Sequence, residues 1–208
     1  YTGGNASVSY DLIEKLYKKF PLMIICVYLL TAIILYVSYR SVLIPLKAIL
    51  VNTLSVLSCY GILILIFQYG YFNFLINLKY SPESIISGLP VILFCIMFSL
   101  SMDYEVFLLS SMSEEYKVSK DNHKAVISGL INTSGIITKA AVIMLIVFSA
   151  FIQADIILIK MLGVGLALAV FIDATIIRLI LVPSLMNLAG KYNWLSFKDF
   201  FRLFKQVP

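Results

Sequence analysis

Residues Phe98–Leu109 read FSLSMDYEVFLL, two carboxylates set into a run otherwise suited to the interior of a membrane. Around them lies a chain of 208 residues, 61% hydrophobic and 13% charged, with a mean hydropathy of +0.99. Those proportions lie far from a water-soluble domain. A helix needs about 20 apolar residues to cross about 30 Å of hydrocarbon. Runs of that length occur at about 21–39, 48–67, 88–110, 134–152 and 161–182. The expected fold is therefore an all-α membrane protein, a bundle of about five transmembrane helices.

Prolines punctuate these runs where helices accept them. Pro21 and Pro90 fall in first turns, Pro45 between spans, and Pro183 at the close of the last span. Cys26, Cys59 and Cys95 each lie inside an apolar run, an odd set read as small hydrophobes and not as a disulfide framework or metal site. Ahead of the first span, Leu12, Leu16 and Phe20 recur at helical spacing among Asp11, Glu14, Lys15, Lys18 and Lys19, the pattern of an interfacial lead-in helix. Residues 113–132 read as a polar connection whose His123 is a surface residue. From Lys191 onward, aromatic and basic residues alternate, as in a membrane-surface anchor.

Lys and Arg are commoner on the side that carries the C-terminus, which places that end in the cytoplasm. The net charge of +5 follows from this bias and from anionic headgroups, not from nucleic acid. No Walker-type phosphate loop is present, so direct ATP hydrolysis is not expected. The chain opens on Tyr1 with no initiator Met and no signal-peptide pattern, which suggests a piece of a longer polypeptide.

The informative charges are those inside the spans: Asp103 and Glu105 in the third, Lys139 in the fourth, Asp173 and Arg178 in the fifth. Each costs about 2.5–3.5 kcal/mol on insertion scales if left facing lipid at mid-membrane, so partners or a wet interior are expected. The fourth span carries Ser128, Asn132, Gly135 and Lys139 on one stripe, expected to face protein or water. In the fifth, Gly165, Ala169 and Asp173 form a small-residue seam for a neighbouring helix. Ser99 and Asp103 share one side of the third span, and Glu105 lies about 200° from Asp103, which leaves it a packing role or a different neighbour. Asp173 and Arg178, five apart, stand about 140° apart on an α-helix and are not expected to pair. Two readings of Asp103 stay open. One is a buried ion pair with Lys139 that only fixes register. The other is a carboxylate that changes protonation as its neighbours move, with the Tyr104 hydroxyl beside it.

The run SLSMDYEVFLLSSMSEE at 99–115 resembles the tenth-helix motif of the MmpL (mycobacterial membrane protein large) family, of the resistance-nodulation-division transporter superfamily. Residues 134–144 resemble the next helix, and 162–186 with Gly190, Asn193 and Trp194 resemble the last helix and its cytoplasmic end. The resemblance implies a proton-driven exporter of lipids or other hydrophobic molecules, a secondary transporter and not an enzyme, with no cofactor. It makes Asp103 and Tyr104 the proton relay. The positions of the other polar residues in the spans add Lys139, Asp173 and Arg178 as candidate coupling or charge partners and Glu105, Ser99 and Asn132 as candidate structural residues.

By the same resemblance the chain is the C-terminal half of such a transporter without that half's first helix. Residues 1–20 then end an extracytoplasmic domain, 21–187 form the transmembrane domain and 188–208 a cytoplasmic amphipathic tail. The implied partners are the N-terminal half of the same polypeptide, membrane lipids and a hydrophobic substrate, with a homo-oligomer left open. Lys139 stands where the family usually has a small or hydroxyl residue, and Ser111 where it has a basic one. A lipid-sensing or signalling relative without net export remains an alternative. An intramembrane aspartyl protease fits poorly, because even Gly165, the nearer glycine of Gly163-Val164-Gly165, lies about 12 Å from Asp173 along the helix.

Overall fold

The computed structural model describes residues 5–71 and 86–195. The connection at 72–85 and the basic-aromatic tail beyond Leu195 lie outside the described residues, as do residues 1–4. Within them are six α-helices: α1 Asn5–Tyr39, α2 Leu43–Leu63, α3 Leu89–Ser119, α4 Asn122–Phe151, α5 Ile157–Ile172 and α6 Val182–Ala189. Five crossings are long and apolar enough to span a membrane: Asp11–Tyr39, Leu43–Gln68, Leu89–Ser119, Asn122–Phe151 and Ile157–Trp194. The described chain is an all-helical membrane bundle.

Helix ends depart from the apolar windows in instructive ways. The lead-in segment and first span are one rod, because α1 runs unbroken through Pro21. Pro45 lies in the first turn of α2, not between spans. The polar stretch at 113–132 is not a loop: α3 and α4 both continue through it and meet at a two-residue turn. Lys120 adopts the left-handed region there (φ 56°), and the Asp121 side chain caps α4 by accepting from the backbone N–H of His123 at 2.9 Å.

The last crossing also differs from its expected form. Pro183 does not close it but starts α6, after a π-helical segment at Asp173–Leu181. Proline has no N–H to send back to the Leu179 carbonyl, so an uninterrupted α-helix loses a bond at this point, and the wider i→i+5 turns stand just before it. A 3₁₀ turn, Gly190–Trp194, completes the rod.

α4 packs against both α3 and α5, and α1 rests chiefly on α2. Two glycines let neighbouring helices approach closely: Gly165, in the seam expected from its spacing, and Gly129, outside the stripe expected on α4. A Cβ added to Gly129 of α4 would lie 2.9 Å from the Met112 Cα of α3, and one on Gly165 of α5 would meet Leu63 and Leu93 at 3.1 Å. Two apolar clusters fill the interior. One gathers Cys59, Leu63, Phe67, Leu93 and Met161, the other Leu35, Ile44, Leu108, Met112, Val126 and Met186. Outward faces carry Leu22, Leu29, Leu57, Ile143 and Ile146, an apolar surface that lipid tails or further helices can cover but water cannot cover cheaply.

Candidate functional site

Between the two apolar clusters lies a buried polar group drawn from α2, α3 and the π segment. Ser101 and Glu105 are four apart on α3 and so share a face. Asn52 of α2 meets both: its Nδ2 donates to Glu105 Oε2 at 3.0 Å, and its Oδ1 lies 2.7 Å from the Ser101 hydroxyl. That hydroxyl is also 3.0 Å from Asp173 Oδ1. It has one proton for two acceptors, so at any moment it donates to either Asn52 or Asp173. Arg178 Nη2 donates to Asp173 Oδ2 and, at 3.2 Å, to the Ser101 carbonyl. The guanidinium lies over the Tyr104 ring, 4.3 Å from its centre.

Asp173 and Arg178 therefore pair, against the expectation from an α-helical wheel. The physical reason is the π segment, whose i→i+5 bonding brings residue 178 much closer to the face of 173 and narrows the 140° offset. Both are buried, at 9% and 4% exposure, so the pair is shielded from lipid and each charge has its counter-charge at depth.

The two acids of α3 separate as their angles predict. Glu105 is buried at 7% exposure and faces α2. Asp103 points out of the described bundle, where it and Ser99 line an open groove of about 550 Å³ between α1 and α3, walled by Thr31, Phe94 and Met102. Tyr104 connects the two faces: its ring carries the Arg178 guanidinium, and its hydroxyl reaches Met144 Sδ at 3.6 Å.

Lys139 does not join this group. It and Asn132 are exposed on the outer side of α4, and Asp103 and Lys139 form no ion pair with each other. The stripe expected to face protein turns outward because the opposite side of α4 is the close-packed one, built from Ala125, Gly129, Thr133, Ile137 and Ala141. The Gly165–Ala169–Asp173 seam does face inward.

Two elements were missed in the sequence. Asn52 is an amide in the middle of an apolar run, and Ser101 lies one helical turn before Glu105. Each was visible as a polar residue where lipid-facing polarity is costly. A second cluster holds the end of the bundle that carries Trp194. Lys47 Nζ donates to the Leu185 carbonyl at 2.9 Å and to Asn193 Oδ1. Fully buried Asn193 donates to the Met186 carbonyl at 2.6 Å, and the Trp194 indole donates to Asn122 Oδ1 at 2.9 Å while stacking on Tyr116. These bonds join α2, α3, α4 and α6.

Residues 1–202 match the family model described as the MMPL family. Among similar proteins is the "Trehalose monomycolate exporter MmpL3" of Mycolicibacterium smegmatis, 35% identical over 93% of this chain and 19% of that protein. Two others are the "Mycolic acid-containing lipids exporter MmpL11" of the same organism, 37% identical over 92% of this chain and 20% of that protein, and the "Heme uptake protein MmpL11" of Mycobacterium tuberculosis, 35% identical over 92% and 20%. The chain spans about a fifth of the length of the curated relatives it matches. With five membrane-length helices, a match over nearly its whole length and that identity, the chain belongs to the MMPL family.

Proposed function

We propose that this chain is one transmembrane half of a secondary transporter that exports lipids or other hydrophobic molecules at the expense of the proton gradient, with Asp103 and Tyr104 as its proton relay. The observation that carries this reading is the placement of those two neighbours. Asp103 is an ionisable group on the exposed face of a membrane helix, and Tyr104 beside it touches the buried Asp173–Arg178 pair. An exposed carboxylate at that depth is costly unless a second body covers it. In this reading the covering body is the N-terminal half of the same polypeptide, packed on the groove between α1 and α3. The C-terminus then lies in the cytoplasm.

Protonation of Asp103 removes a charge from that interface and Tyr104 transmits the change to the ion pair, so the two faces of α3 respond together. The names of the exporting relatives support the substrate class. The relative named for heme uptake shows that cargo and direction need their own measurement. The test uses the full-length protein in lipid vesicles with an imposed pH gradient and a fluorescent lipid. Wild type should move the lipid only with the gradient, and Asp103→Asn should lose that movement while still folding. Undiminished gradient-driven flux in Asp103→Asn would overturn the relay.

A further inference from the structure

The Asp173–Arg178 pair leaves one donor over. Arg178 Nη2 serves Asp173 and the Ser101 carbonyl, but Nη1 is buried and has no hydrogen-bond partner among the described residues. A buried guanidinium N–H without an acceptor costs about 1–3 kcal/mol, more because the group is charged. Arg178 also lines a small, partly open cavity of about 20 Å³, together with Asp173, Ser101, Tyr104, Ala141 and Met144. A single water needs about 10–15 Å³ measured in this way and two to four polar partners. The cavity has the volume for one water and not for a substrate, and its polar wall offers a donor, a carboxylate and the hydroxyls of Ser55, Ser101 and Tyr104. Among the described residues the Tyr104 hydroxyl bonds to a thioether, the weak acceptor Met144 Sδ.

We propose that this cavity is a binding site for one water molecule, held by Arg178 Nη1, which links the Tyr104 hydroxyl to the Asp173 carboxylate. The water accepts from Nη1 and from Tyr104, and donates to Asp173. A proton leaving the Tyr104 hydroxyl would pass to the water oxygen while a water proton passes to an Asp173 oxygen, which conserves atoms and charge at every step. The proposal rests on the relay reading for its direction but not for the existence of the site. It also gives the small side chain of Ala141 a role, since that residue sets the cavity volume.

The experiment is a map of the full-length protein in lipid nanodiscs at about 2 Å, paired with flux measurements. Density at hydrogen-bonding distance from Arg178 Nη1, absent in Ala141→Leu, is the expected result. A map in which Nη1 is bonded to a protein oxygen, with no density in the cavity, would overturn the site. Ala141→Leu should reduce gradient-driven flux per folded transporter at least tenfold, and flux equal to wild type would remove the linking role. Should Ala141→Leu fail to fold, Ala174→Val, on the same cavity wall, takes its place under the same two criteria. Asp103→Asn separates the two ideas: it should lose flux yet keep the water density. If it instead keeps wild-type flux, the relay reading fails while the density still decides the water site.

Discussion

Asp103 and Glu105 stand two residues apart on α3 and have opposite surroundings. Glu105 is buried, accepts from Asn52 and belongs to a group continuing through Ser101 to Asp173 and Arg178. Asp103 lines an open groove and has no ion pair among the described residues. The inward acid is held by the Asn52 amide of α2, which would lose its acceptor without it, whereas the outward one is held by nothing within the described bundle. Stability and function should therefore separate across this one helix, with inward substitutions costing the fold and outward ones costing transport.

The largest effect is expected at Arg178. Arg178→Leu leaves Asp173 buried without its cation, at a cost of about 3–5 kcal/mol, because breaking a buried pair is worse than lacking one. Replacing both partners, as Asp173→Leu with Arg178→Leu, should recover most of that loss in thermal unfolding in detergent. No recovery in the double variant would show that Ser101 and Tyr104, not the ion pair, dominate this side.

Asn52→Leu comes next. It strips Glu105 of its donor and Ser101 of an acceptor, for about 1–3 kcal/mol. Glu105→Gln keeps an acceptor for Asn52 and should cost far less. If the two variants lower the unfolding midpoint equally, the Asn52–Glu105 bond is not what holds α2 to α3. Gly129→Ala probes the apolar part of the same inward side. Its new Cβ meets the Met112 backbone at 2.9 Å, so α3 and α4 must part, at about 1–3 kcal/mol. An unchanged midpoint would mean that the α3–α4 contact yields freely.

How much of this was legible depends on which property carries it. Membrane crossing is a sum over many residues, and hydropathy located all five spans. Helix ends depend on single bonds: the Asp121 cap and the left-handed Lys120 turn α3 directly into α4 through polar residues that looked like a loop. Faces were legible wherever the helix is α-helical, as with the opposed Asp103 and Glu105. They failed at Asp173 and Arg178 because a 3.6-residue period was applied to a π segment, and Pro183 was the available warning. The α4 stripe was misassigned because small residues that admit a neighbour and polar residues that seek one give the same spacing, and here the small ones took the interior. The role of Asp103 rested on resemblance, and it is the outward site that is least determined by the described residues.

The outward side can be sharpened at the lower end of the scale. Asp103→Asn should change the unfolding free energy by no more than about 0.5 kcal/mol, since the side chain has no partner within the described bundle to strand. A large destabilisation would mean that the carboxylate is held by contacts beyond this bundle. Lys139→Ala should be smaller still. Lys139 is exposed on α4 and makes no ion pair with Asp103, so its removal should leave both the midpoint and the dependence of flux on pH unchanged. The measurement is flux in vesicles across a series of pH values, wild type against Lys139→Ala in the full-length protein. A displaced profile would bring the ammonium within charge range of the relay, across an interface that α4 shares with another part of the polypeptide. The outward face would then extend from α3 to α4 as one charged surface, and Lys139 would join the coupling.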